Sequence, residues 1–182
     1  MKRVKIIGIL VLVLLLVVAG FILYPLMYKG GGDIVMIADH EYTSLQEILD
    51  RKEFSGKTVF VDMWGTTCKP CIVEFGYADE LKERYENKPV EFLYLCIIDR
   101  IDHKVRWKEI IKQKQLRGTH VAIDEMLYES IWLNDLGDEV ADKFLIPHYF
   151  IVKDGKIVIY QAARPSSKEK LYDQIDSVLN QN

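Results

Sequence analysis

The chain has 182 residues, 49% of them hydrophobic and 28% charged, with a formal net charge of −3. That balance excludes a strongly basic nucleic-acid binder, and the apolar fraction argues against intrinsic disorder. Three cysteines are too few for a disulfide-stapled scaffold, so any cysteine chemistry must come from one pair.

The mean hydropathy of +0.01 hides a split. No Asp, Glu, Lys or Arg occurs from Ile6 to Tyr28, and Ile6 to Tyr24 is almost purely aliphatic. A helix of about 20 such residues spans a bilayer core of roughly 30 Å. A cleaved signal peptide has a shorter apolar core, about 7–15 residues, ending in a small-x-small site; Tyr24-Pro25-Leu26-Met27-Tyr28 offers none, and no cysteine follows for a lipid anchor. Lys2, Arg3 and Lys5 precede the run, whereas Lys29 is the only nearby cation after it. The positive-inside rule then leaves the N-terminus in the cytoplasm and the rest outside, where disulfides form. The expected organisation is a cytoplasmic stub (1–5), a transmembrane signal anchor (6–28), a Gly-rich tether (29–33) and one domain (34–182). That makes a single-pass protein of the cytoplasmic membrane, its C-terminal domain facing the periplasm or cell exterior. Setting aside the three N-terminal cations moves the net charge from −3 to −6 on the remainder.

Along the domain, Ile34–Ile37 reads as a short strand and Ser44–Leu49 as a capped helical turn or two. Thr58–Trp64 is a β-rich run suited to a central buried strand. After Pro70, Ile72, Phe75, Ala78, Leu81 and Tyr85 recur at helical spacing. Val90–Ile98 is the next strand, Val105–Leu116 a helix with Gly118 as its stop, and Val121–Ile123 a short strand. Glu125–Phe144 mixes helix and loop. Tyr149–Val152 and Lys156–Tyr160 are strands joined by Asp154-Gly155, a strong hairpin signal, and Lys168–Leu179 is an amphipathic helix. The pattern is an α/β domain with a mixed sheet whose last two strands run antiparallel.

The chemistry lies where a strand meets a helix, in Trp64-Gly65-Thr66-Thr67-Cys68-Lys69-Pro70-Cys71. Unsatisfied N–H groups and the positive end of the helix dipole favour a thiolate on Cys68. Lys69 adds a local positive charge that tunes the same sulfur, and Pro70 fits the first turn because it has no N–H to waste. Cys71 is placed to close a small ring with Cys68. Reversible dithiol–disulfide exchange fits this best. The alternatives are half of a zinc site, a purely structural disulfide and copper delivery. Zinc needs two more clustered ligands, and Cys96, His40, His103, His120 and His148 are scattered. A four-residue loop removes little unfolded-state entropy, and no His/Met cluster accompanies the pair for copper. No metal site is therefore assigned. Cys96, in mid-strand, reads as a buried inert side chain.

Val61 to Cys71, together with Ile146-Pro147-His148-Tyr149-Phe150-Ile151-Val152-Lys153-Asp154-Gly155-Lys156-Ile157, resembles the thioredoxin superfamily. The apolar N-terminus, the Trp-Gly-Thr-x-Cys-x-Pro-Cys wording and the extra helix–strand unit before Val121 make it most similar to membrane-anchored envelope thioredoxins of the TlpA/ResA type, over roughly residues 34–180. The resemblance implies a thioredoxin-like fold, a mixed central sheet flanked by helices, with an extra helix–strand insertion and one transmembrane helix in front. It implies that Cys68 attacks and Cys71 resolves. It also implies that Pro147 is a cis-proline facing the disulfide, with Ile146, Pro147 and Trp64 on the substrate side. Asp62, six positions before Cys68, matches the buried acid of thioredoxins, and Glu74, three after Cys71, matches an acid kept near the cysteines in TlpA/ResA-like proteins.

Both acids also have a reading of their own. Asp62 interrupts an apolar strand on the face of Phe60 and Trp64, and a buried carboxyl holds its proton more tightly; it can then take the Cys71 proton. The plainer readings are a hydrogen-bonded structural acid at Asp62 and a carboxylate favoured in a first helical turn at Glu74. Three positions depart from the family pattern: Thr67 replaces a frequent Trp, Gly76 stands where a proline kink is common, and His148 follows Pro147 where Thr is frequent. If His148 faces Cys68, its charge change near neutral pH tunes the thiolate.

The resulting expectation is a membrane-tethered thiol–disulfide oxidoreductase that reduces disulfide-bearing envelope proteins, apocytochrome c among them. It takes its electrons from a membrane thiol reductase and needs no diffusible cofactor or nucleic acid. The alternatives are a disulfide-protein chaperone or scaffold without turnover, and a metal-handling protein using the cysteine pair.

Overall fold

The structure is a computed structural model that describes residues 34–37, 42–98 and 100–181. The expected membrane span and tether lie outside the described residues, and among those described no helix is long and apolar enough to cross a membrane.

Six strands form one sheet in the order β1 (Ile34–Ile37), β4 (Gly118–Ile123), β3 (Val90–Ile97), β2 (Thr58–Gly65), β5 (His148–Lys153), β6 (Lys156–Ile159). β1 to β4, β4 to β3 and β3 to β2 pair in parallel, whereas β5 runs antiparallel to β2 and β6 to β5. Every residue of β2 is buried, as a central strand with helices on both faces requires. This is a thioredoxin-like α/β fold, and the extra unit preceding Val121 is α4 (Ile101–Gln113) with β4, which enters the sheet between β3 and the edge strand β1.

Alternation along the strands divides the core in two. Phe60, Trp64, Phe92, Tyr94, Cys96, Tyr149 and Ile151 face α2 (Lys69–Glu74), α3 (Ala78–Tyr85), α4 and α6 (Glu169–Leu179). Val59, Val61, Met63, Leu93, Leu95, Val121 and Phe150 face α1 (Leu45–Leu49) and α5 (Glu125–Ser130). Fully burying one such aliphatic or aromatic side chain is worth about 1.5–3 kcal/mol.

Local signals hold where they are self-contained. Ser44 caps α1 by accepting the Glu47 N–H, and Asp154 and Gly155, at φ 50° and 73°, make the left-handed pair that a two-residue hairpin turn demands. Gly118 differs from expectation. α4 starts earlier, at Ile101, and ends at Gln113, with Gln115 supplying the left-handed residue at φ 47°. Gly118 instead opens β4 at φ 123°, where a Cβ would stand 2.7 Å from the Phe92 carbonyl oxygen. Its glycine is required by close strand approach. The stretch after β4 resolves into α5, a π-helical turn (Ile131–Asp135) and a 3-10 turn (Gly137–Glu139).

Candidate active site

β2 ends at Gly65, and the chain turns into α2 through Thr66 and Thr67, with the Cys68 N–H donating to the Gly65 oxygen at 3.0 Å. Cys68 is the N-cap of α2. Its backbone is extended, and its sulfur accepts the Cys71 N–H at 3.2 Å. A helix start needs an acceptor for its first-turn amides, and here a sulfur provides it. Cys68 and Cys71 form a disulfide with Cα atoms 5.3 Å apart. Cys71 is fully buried, Cys68 half-buried, and Lys69 and Pro70 exposed. An incoming sulfur therefore meets Cys68 first.

The Ile146-Pro147 peptide is cis. Ile146 packs against both cores, and its Cδ1 lies 3.1 Å from where a Cβ on Gly65 would stand. The glycine of the Trp-Gly-Thr sequence thus lets the proline segment close on the redox turn. Phe144 and Leu145, leading into that segment, are exposed, as is Val73 on α2. Trp64 was expected on the substrate side, but it is fully buried and stands edge-on to Phe75 at 4.9 Å, supporting the turn from beneath. A 3-10 turn at Phe75–Tyr77 separates α2 from α3, without the proline frequent at Gly76.

Asp62 is 2% exposed, and its Oδ1 meets no hydrogen-bond donor among the described residues. Burial holds its carboxyl well above the ordinary 3.8, with Lys82 drawing it down and Glu74 pushing it up. Glu74 is also buried, and its two oxygens accept the Ser166 N–H and hydroxyl, each at 2.9 Å. It ties α2 to the 3-10 turn Pro165–Ser167. Asp62 sits in a row across the sheet: Tyr149 on β5 and Tyr94 on β3 are its register partners, and His120 on β4 is the register partner of Tyr94. Tyr94 stacks on His120 with ring centroids 4.6 Å apart. Burial lowers His120 to about 3, against the Leu116 carbonyl bond that raises it and alongside the Lys82 charge that lowers it further.

His148 does not face the disulfide. Strand alternation turns it to the opposite sheet face, where its ring lies 4.6 Å from Trp132 and its Nε2 pairs with the Tyr160 oxygen at 3.0 Å. Among the described residues no group of three or more His, Cys, Asp or Glu is arranged to hold a metal ion.

Sequence reasoning passed over Lys82 and Ser166. Lys82 is 6% exposed, with burial lowering it to about 7. A signal for it existed, since Lys82 lies four residues after Ala78 and three before Tyr85, within the apolar stripe. Ser166 carried none, because only the tertiary fold brings it to Glu74.

A cysteine pair with one accessible and one buried sulfur, at the end of a central strand, is arranged for disulfide exchange. The fold and site therefore place the protein among the thioredoxin-like thiol–disulfide oxidoreductases. The chain belongs to the Redoxin family, whose model matches residues 34–179. It is 34% identical over 134 residues to "Thiol-disulfide oxidoreductase ResA" of Bacillus thuringiensis subsp. konkukian, covering 71% of this chain and 68% of that protein. The Bacillus anthracis protein of the same name is 32% identical over 127 residues, covering 68% and 64%. A solution structure from Bacteroides vulgatus, described as a thiol-disulfide oxidoreductase, superposes with a TM-score of 0.54 at 27% identity, covering 69% of this chain and 75% of that one. The Cys68–Cys71 pair and these likenesses make the protein a ResA-like thiol–disulfide oxidoreductase.

Proposed function

We propose that this enzyme is anchored in the cytoplasmic membrane by residues 6–28, with its domain on the outer side, and that it reduces disulfides of envelope proteins, apocytochrome c cysteines among them. A membrane thiol reductase supplies its electrons. The charge-free run Ile6–Tyr28 behind Lys2, Arg3 and Lys5 supports the anchoring and its direction.

The observation that carries the catalytic reading is the asymmetry of the pair, a reachable Cys68 capping α2 and a buried Cys71 on the face of the sheet that holds Asp62. The Cys68 thiolate attacks one sulfur of the substrate disulfide. The other substrate sulfur leaves as a thiolate, and a mixed disulfide forms. Cys71, giving its proton to the Asp62 carboxylate, then attacks the Cys68 sulfur. The second substrate thiolate departs and Cys68–Cys71 is oxidised, so two electrons have passed to the substrate. Glu74, held by Ser166, fixes α2 over this layer, and Ile146, beside the cis-proline, packs on Gly65 at the end of β2.

The test is capture with the full-length Cys71→Ser chain, which cannot resolve, together with the reduction potential of the wild-type pair. Mixed disulfides with envelope proteins through Cys68 and a potential in the reducing range are expected. A potential of about −120 mV, the range of strong oxidants, overturns the direction, and an absence of trapped partners overturns the catalytic reading.

A further inference from the structure

We propose that the exposed side of α4 is a docking face for an acidic phospholipid surface, on which the tethered domain rests. This rests on the anchoring proposed above. Residues 100–117, which hold α4 and the turn into β4, carry seven Lys and Arg against two Asp and Glu, a net charge of +5. The rest of residues 6–182 carries 14 against 25, a net charge of −11. One element of an otherwise acidic domain is thus strongly basic. Trp107 and Ile111 are fully buried and turn one side of α4 to the sheet. Arg106, Lys108, Lys112 and, just past the helix, Lys114 are exposed, and Val105 among them is 59% exposed. Arg100 pairs with Asp102 and Arg117 with Asp79, whereas the side chains of Arg106, Lys108, Lys112 and Lys114 form no ion pair among the described residues. Lys104, Lys108 and Lys112 follow at four-residue intervals, and like charges so spaced destabilise a helix. Anions brought to this face offset that repulsion.

The place of the face in the sheet points to lipid as the source of those anions. β1 pairs in parallel with β4, with Ile34 beside Gly118. The C-terminal end of α4 leads through Lys114 and Arg117 into Gly118, so these cations lie at the end of the sheet where the chain enters from residues 29–33. Those five residues reach at most about 18 Å. An anionic headgroup layer is therefore a standing neighbour at high effective concentration. Basic side chains are attracted to it within roughly a Debye length, about 8 Å in physiological salt, and the lysine stems and Val105 supply apolar surface at headgroup depth. Gly65 is level with Ile97, and Ile97 with Ile123, the last residue of β4. The turn carrying Cys68 is thus at the opposite end of the sheet, and docking leaves it open to substrate.

The experiment reconstitutes the full-length chain into nanodiscs of phosphatidylcholine alone or with phosphatidylglycerol, and follows acetylation of each lysine by mass spectrometry. Lys69 at the redox turn and Lys156 on the opposite edge strand, both exposed, are the internal references. Lys108, Lys112 and Lys114 should react about fivefold more slowly or less in the anionic discs, with Lys69 and Lys156 unchanged. The slowing should vanish in about 0.5 M salt, where screening shortens to roughly 4 Å. Lys108→Glu with Lys112→Glu should abolish it at Lys114, while the reduced variant still reduces dithiobis(nitrobenzoate) at the wild-type rate. Equal labelling in both lipids, as expected if the partner is an acidic protein, overturns the proposal and leaves the anchor standing, and so does slowing shared equally by Lys69 and Lys156. A chain recovered only with anionic discs overturns the anchor and leaves the α4 contact standing. A chain recovered with neither overturns both.

Discussion

Replacing Asp62 by Asn should stabilise the oxidised protein, and increasingly so as pH rises. The two side chains have nearly the same shape, and the position is 2% exposed, so packing is preserved. In the unfolded chain the carboxyl ionises near its ordinary 3.8, whereas in the folded chain burial keeps the proton on to well above that value. Between these limits the folded state binds one more proton than the unfolded state, so wild-type stability falls as pH rises, by about 1.4 kcal/mol per unit. Above the folded value the loss is complete and constant. Lys82 draws the upper end of this window down and Glu74 pushes it up. Asn has no proton to lose, so the slope disappears. Urea denaturation with the disulfide intact, at pH values from about 4 to 9 and fixed ionic strength, measures both chains. The stability difference should be small at the acid end and grow at that slope until it levels off. Parallel curves would refute the claim that Asp62 is buried with its proton.

Glu74→Ala should cost about 2–3 kcal/mol, because it removes a charged acceptor from the Ser166 N–H and hydroxyl; the shift in the denaturation midpoint reads it, and a loss under about 0.5 kcal/mol would show that the tie between α2 and residues 165–167 is unimportant. For His120, lowered from 6.5 to about 3, the unfolded state binds the extra proton, so wild-type stability falls on acidification through that window by about 1.4 kcal/mol per unit. His120→Phe should remove this part of the acid sensitivity in the same titration, and an unchanged acid limb would contradict the buried neutral ring.

How much was legible depended on how local each determinant is. The cysteine pair, its place at a helix start and the Asp154-Gly155 turn are decided within a few residues, and the structure reproduces them. The cis Ile146-Pro147 bond came from a resemblance, since an X-Pro pair alone does not specify its isomer. Gly118 misled because a glycine after a helical pattern looks like a stop signal, while its real constraint, the Phe92 oxygen, lies on another strand. Trp64 and His148 show the same limit. Both stand beside the reactive motifs in the chain, yet pleating sends His148 to the far face and core packing seals Trp64 under Phe75.

By itself the sequence determined that this is an acidic α/β redox domain behind an apolar segment, with Cys68 and Cys71 as its working pair. Periodicity, turn chemistry and helix-start electrostatics act over one or two turns and can be read in one dimension. Only the tertiary structure decided which titratable groups share a dry layer. Asp62, Tyr94, His120 and Tyr149 are adjacent through strand register, and Lys82 and Glu74 reach that layer from helices packed over it. Desolvation and charge–charge coupling depend on distance through space, which no spacing along the chain encodes.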